Sequence, residues 1–197
     1  TGLLSFGRLC PMPGGGAWWL DDDGRPDESQ GLHTWIAARM AHVYGIGSLL
    51  GVPGSKPIAA AAMAGLTGPL HDDEHGGWYS SIDGAGIVAE GKSCYEHAFV
   101  LLAASTAVHA EIDGAVELLA EASATFLDRF WEEETGRCVD VWDTTFETID
   151  PYRGLNANMH AVEAMLSVAG VTSDPAWLDR AERISRFVIG MAADNRW

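Results

Sequence analysis

Two constellations in this 197-residue sequence bring together residue types that chemistry can use. Within residues 31–50, Trp35, Arg39 and His42 stand at i, i+4 and i+7, so a helix there carries an aromatic ring, a fixed cation and an imidazole on one face. That face suits a sugar: the ring covers the apolar side of a pyranose, and the guanidinium donates paired hydrogen bonds to hydroxyl or developing enolate oxygens. The plainer reading is a partly buried tryptophan beside a surface arginine and histidine. The second constellation is Tyr152-Arg-Gly-Leu-Asn156-Ala-Asn-Met-His160-Ala-Val-Glu163. In a helix beginning near Asn156, the residues Asn156, His160 and Glu163 share one face and Asn158 turns away from them. An imidazole between a carboxylate and a carboxamide is an acid/base unit, in which the carboxylate orients the ring and the amide fixes a hydroxyl. Its plainer reading is a capped helix start with a satisfied core histidine. The sequence holds no GxSxG elbow, P-loop, HExxH or dinucleotide fingerprint to compete with these two.

The elements that must position these residues are helices. Apolar positions at threes and fours predict helices over residues 31–50, 57–70, 94–110, 113–131, 156–170 and 174–193, with Pro57 in a first turn and Asp174-Pro175 as a cap and first-turn pair. Between them, residues 74–88 and 134–143 alternate after a glycine turn, as small hairpins do. The two hairpin segments match each other at an offset of 60 through Glu74/Gly76 and Glu134/Gly136, and His97-Ala98 matches His160-Ala161 at an offset of 63. A repeat of two helices and a decorated loop buries its apolar faces only by stacking into a solenoid or closing into a ring, and an α/α toroid is the natural closed form. A six-helix bundle is the competing architecture, but its connections are usually only about 2 to 8 residues.

Composition narrows the partners. Twenty-eight acidic against twelve basic side chains, a formal charge of −16, argue against nucleic acid and anionic membrane surfaces. With 47% hydrophobic residues the chain can build a core, no apolar run approaches a bilayer span, and no basic-then-apolar leader opens it, so the expected location is the cytoplasm. Three widely spaced cysteines without a CxxC pair argue against a disulfide framework or a zinc site. A start at Thr1 and a stop at Trp197, directly after a helical stretch, read as part of a longer polypeptide.

The stretches Gly31-Leu-His-Thr-Trp-Ile-Ala-Ala-Arg-Met-Ala-His-Val-Tyr44, His75-Gly-Gly-Trp-Tyr79, Tyr95-Glu-His-Ala-Phe-Val-Leu-Leu-Ala103, Tyr152-Arg-Gly-Leu-Asn-Ala-Asn-Met-His-Ala-Val-Glu-Ala164 and Trp177-Leu-Asp-Arg-Ala181 resemble the N-acylglucosamine 2-epimerase superfamily, nearest its mannose isomerase and sulfoquinovose isomerase branch. The resemblance spans almost the whole chain. It implies an all-α (α/α)6 barrel, of which residues 1–197 hold the N-terminal half as a single domain, with short β-hairpins in the long loops. It also implies an aldose–ketose isomerase or sugar 2-epimerase working through a cis-enediol, with a monosaccharide substrate and no required metal or redox cofactor. Carried over position by position, His160 and Arg39 are the catalytic candidates, and Trp35, Tyr95, Asn156 and Glu163 the substrate-binding ones, Glu163 resting mainly on helix geometry. The paired histidines that such enzymes use for the main proton transfers lie downstream of any residue present, so a homo-oligomer or a missing C-terminal half of the barrel is the expected partner. A carbohydrate-binding half barrel without turnover is the alternative from another class. An α/α-toroid glycoside hydrolase needs two opposed carboxylates, for which Asp21-Asp22-Asp23 and Glu132-Glu133-Glu134 are poor candidates, being expected in solvated loops or at helix ends.

Overall fold

The computed structural model describes residues 2–88 and 91–195. Six long helices dominate it: α2 (Thr34–Leu49), α3 (Ser55–Leu66), α4 (Cys94–His109), α5 (Ala115–Thr125), α6 (Leu155–Thr172) and α7 (Pro175–Asp194), preceded by a short α1 (Gly2–Phe6) that the sequence pattern misses. Helices α2, α4 and α6 lie side by side with α4 in the middle, and α3, α5 and α7 each pack behind the inner helix they follow. This double layer is the expected half toroid. Its central helix α4 is apolar nearly all round and buried from Cys94 to Ala107 apart from half-buried Tyr95, as a helix covered on several sides must be.

Short strands join the helices at one end: β1 (Leu32–His33), β2 (Ser81–Asp83), β3 (Gly86–Val88), β4 (Lys92–Ser93), β5 (Trp131–Glu132), β6 (Arg137–Cys138) and β7 (Val141–Trp142). Strands β1, β2 and β3 form one antiparallel sheet, while β4 pairs with β7 and β5 with β6. Several predicted boundaries move for local reasons. Helix α2 starts at Thr34 because Leu32 and His33 are held in β1. Helix α3 starts at Ser55, so Pro57 is its third residue, where a missing N–H costs nothing, and it ends at Leu66 instead of continuing to residue 70. The helix predicted over 113–131 stops at Thr125 and passes through one π-turn, Phe126–Phe130, which buries both Phe126 and Phe130 completely before Trp131 enters β5. Asp174 caps α7 as expected, accepting from the Ala176 N–H at 2.9 Å with Pro175 at the first position.

Hydrogen bonds set the register of the repeat. The bridge His71↔Trp78 and the pair Trp131↔Cys138 stand 60 residues apart. Above each, one buried side chain ties the loop to the inner helix. His97 donates from Nδ1 to the Ser93 carbonyl four residues back (2.7 Å) and accepts from the Trp78 N–H at Nε2 (3.2 Å). Asn158 donates from Nδ2 to the Gly154 carbonyl four residues back (2.9 Å) and accepts from the Cys138 N–H at Oδ1 (2.8 Å). The structural partner of His97 is therefore Asn158, at an offset of 61, and the matching of His97 with His160 at 63 is corrected. The same register relates the ion pair Lys92–Asp72 (2.6 Å) to Arg153–Glu132 (2.8 Å).

Candidate active site

With this register the inner helices present their side chains in layers. Trp35, Tyr95 and Asn156 are each the second residue of their helix, at the rim. One turn deeper stand Arg39, Phe99 and His160, and below them His42, Leu102 and Glu163.

Arg39 is held by rings. Its guanidinium carbon lies 4.3 Å from the Phe99 centroid, 5.2 Å from Trp35 and 5.9 Å from Tyr95, and its Nη2 donates to the Tyr95 hydroxyl at 3.0 Å. Trp35 is braced in turn by Trp19, edge to face at 5.1 Å. The planar fork is thereby fixed by stacking that the compact ammonium of a lysine would not reproduce. From α6, the His160 ring meets Phe99 at 4.7 Å and Tyr95 at 5.2 Å. His160 Nδ1 stands 3.1 Å from Glu163 Oε2, and its side chain is 17% exposed against 51% for Glu163. A carboxylate oxygen accepts, so Nδ1 is the donor, and in the neutral ring Nε2 keeps its lone pair. Asn156 is exposed at the rim and Asn158 is buried in its staple, as the helix geometry requires. The structure thus gathers Trp35, Arg39, Tyr95, His160 and Glu163 in one contiguous cluster, with Asn156 at its edge. Phe99, the ring that both Arg39 and His160 touch, is absent from the sequence-based candidates, as is Trp19.

The cluster lies on the open concave face. A cavity of about 540 Å³ lined by Gly91, Trp142, Asp143, Thr148 and Asp150 sits among the rim loops and contains none of these residues. The loop ending in Trp78 is anchored by a fully buried ion pair: Lys92 Nζ reaches Asp72 Oδ2 and the Gly76 carbonyl, each at 2.6 Å, over the Phe146 ring at 4.4 Å. Burial alone would raise the Asp72 pKa, but the Lys92 ammonium and the His75 and Glu74 N–H groups hold it down at about 2. His97 is driven to about 3 by burial, partly offset by its bond to Ser93, and so stays neutral in its staple. Gly77 beside it has φ 73°, and a Cβ there would meet His97 Nε2 at 2.7 Å. Among the described residues no group of three or more His, Cys, Asp and Glu side chains is placed to hold a metal ion, and no helix is long and apolar enough to cross a membrane.

The chain is 46% identical over 197 residues to a D-mannose isomerase of Thermobifida fusca, covering 99% of this chain and 48% of that protein. It is 40% identical over 190 residues to a D-mannose isomerase of Pseudomonas cannabina pv. alisalensis, covering 95% and 45%. A crystal structure of D-mannose isomerase superposes with a TM-score of 0.83 at 28% identity, over 93% of this chain and 49% of that one. The cellobiose 2-epimerase of Spirochaeta thermophila DSM 6192 shares the fold with a TM-score of 0.81 at 20% identity, over 92% and 49%. The chain therefore spans about half the length of the relatives it matches, as half of an (α/α)6 barrel does. The profile of the N-acylglucosamine 2-epimerase (GlcNAc 2-epimerase) family matches residues 15–197, and the chain belongs to that family.

Proposed function

We propose that this chain forms the sugar-binding half of an aldose–ketose isomerase of the mannose–fructose type. The observation that carries the reading is Arg39, held against aromatic rings and sharing the Phe99 ring with His160. An open-chain aldose lies on the concave face with its apolar side on Trp35 and Tyr95. The Arg39 guanidinium donates to O1 and O2, where negative charge gathers as the C2 proton leaves and the cis-enediol forms. His160 Nε2 accepts from a hydroxyl at the carbonyl end, Asn156 steadies that end at the rim, and Glu163 holds the His160 tautomer. Return of a proton to C1 gives the ketose. The groups that carry the main C1–C2 proton transfers come from outside these 197 residues, and the D-mannose isomerase relatives support this choice of substrate.

The same reading takes residues 1–197 as one domain, completed by a second half barrel from the same polypeptide or from another copy. An open groove of about 400 Å³ between α6 and α7, lined by Leu155, Met159, Val162, Ile184, Val188 and Ile189, supports such a completion. Cys10, Cys94 and Cys138 are all buried and unpaired, which supports a reducing, cytoplasmic setting. The test is NMR of D-mannose, N-acylated and sulfonated sugars incubated with the polypeptide that carries these residues. Conversion of mannose to fructose is expected. A C2 epimer as product would replace isomerisation by epimerisation, and turnover confined to a modified sugar would change the substrate. Binding without turnover would leave a carbohydrate-binding module.

A further inference from the structure

His42 shares the α2 face of Trp35 and Arg39, yet nothing in the reading above uses it. In the repeat register it lies in the third layer, level with Leu102 and Glu163, one turn below Arg39. Its Nδ1 is 2.7 Å from Thr106 Oγ1, and that hydroxyl is 3.0 Å from the Leu102 carbonyl. A carbonyl cannot donate, so the Thr106 proton points to Leu102 and its oxygen accepts from His42. The tautomer follows: Nδ1 carries the proton and Nε2 is a free acceptor. Helix packing supports the contact, since a Cβ at Gly45 would meet Thr106 Cγ2 at 2.8 Å; the glycine lets α4 approach α2 where the threonine must reach.

His42 on α2 and His97 on α4 are built differently. His97 is sealed in the core with both ring nitrogens engaged, as a structural histidine should be. His42 is half-buried and only its Nδ1 is engaged; among the described residues Nε2 has no protein partner and is not sealed from solvent. Burial lowers the His42 pKa and the Glu163 charge acts the other way, which leaves a neutral imidazole at pH 7. The arrangement matches that of His160, with Nδ1–H tied to a fixed acceptor and the Nε2 lone pair left over.

We infer that His42 is a further substrate-binding residue, whose Nε2 accepts a hydrogen bond from a sugar hydroxyl remote from the reacting carbons and so helps decide which sugars the site takes. The inference rests on the sugar-isomerase reading, with the sugar chain running from the Arg39 layer down toward the third layer.

Two substitutions separate a sugar contact from a structural bond. H42N places an amide where Nδ1 was, keeping the Thr106 bond and losing the Nε2 acceptor; H42Q keeps an acceptor near Nε2 and loses the Thr106 bond. In the isomerase-competent polypeptide, with helical circular dichroism intact, H42N should raise the KM for mannose about two- to tenfold at nearly constant kcat, the scale of one neutral hydrogen bond, and H42Q should stay closer to wild type. Among deoxy-mannoses lacking one hydroxyl beyond C3, one should show the same KM with wild type and H42N. The reverse order, with H42N like wild type and H42Q impaired, would overturn the inference, because the Thr106 bond would then be what matters. As a readout free of turnover, the imidazole ¹⁵N signals are followed while D-mannose is added. Perturbation of both His160 and His42 Nε2 supports the inference, and perturbation of His160 alone overturns it while leaving the sugar reading in place. No response from either ring overturns the sugar reading and the inference with it.

Discussion

Arg39 and His160 both pack against one ring, Phe99, and the chemistry assigned to the face depends on their being fixed there. Arg39→Lys keeps the charge but loses the fork, the Tyr95 bond and the stacking. It should cut turnover by about 30- to 1000-fold, the equivalent of ~2–4 kcal/mol of transition-state stabilisation, while the fold stays intact by circular dichroism. Steady-state kinetics near those of wild type would remove Arg39 from the site. At this scale the sequence was legible where polar residues recur at helical spacing. Trp35, Arg39 and His42 declare a face, as do Asn156, His160 and Glu163, because each polar group stands out against apolar neighbours. Phe99 sits on a helix that is apolar nearly all round, so nothing in its spacing marks it, and Tyr95 was placed only through family resemblance. His97 and His160 each precede an alanine, and that pairing hid that the counterpart of His97 is Asn158.

The staples and ion pairs of the repeat hold the rim loops over the inner helices, and they should be felt in stability before activity. Lys92→Met leaves Asp72 buried without its cation, a loss of about 3 to 5 kcal/mol by the usual cost of orphaning one partner of a buried pair, to be read by urea denaturation. A change below about 1 kcal/mol would mean that solvent reaches Asp72. His97 makes a pH-dependent contribution. Its folded pKa, near 3, lies below the ordinary value of 6.5, so between those values the unfolded chain binds more protons than the folded one. Stability is therefore complete above pH 6.5 and falls as the pH drops toward 3, by up to about 1.4 kcal/mol per unit, with His42 adding in the same direction. His97→Asn installs the solution that the second repeat uses at Asn158, and should flatten the stability slope between pH 6.5 and 5 by about one proton. An unchanged slope would mean that His97 is not the group that acid charges. Helix periodicity made these elements visible, and the glycine turns revealed the hairpins. The π-turn at Phe126–Phe130 was not visible, because two phenylalanines four apart fit a straight helix equally well.

At the scale of the molecule, the repeat alone pointed to a toroid, and six helices in two layers are half of one. Its inner face is open, which follows from the chain spanning about half the length of its relatives. What the sequence could not reveal is how strictly the repeat is kept: the staples, the ion pairs and the three layers stand at offsets of 60 and 61, and they became visible only through hydrogen bonds. The claim that unites these features is that the concave face carries an enediol reaction in which His160 takes part. Isomerisation of D-mannose in deuterium oxide, compared between wild type and His160→Asn, tests it, because a proton passed through an enzyme group can exchange with solvent. Asparagine preserves the helix start, and loss of one acid/base group is typically worth about 10²- to 10⁴-fold. Turnover and deuterium incorporation, at C1 of the fructose formed and at C2 of the mannose recovered, should therefore fall together by that order while the helical signal is unchanged. A His160→Asn enzyme with full activity and full exchange would make His160 a structural histidine and contradict the site described here.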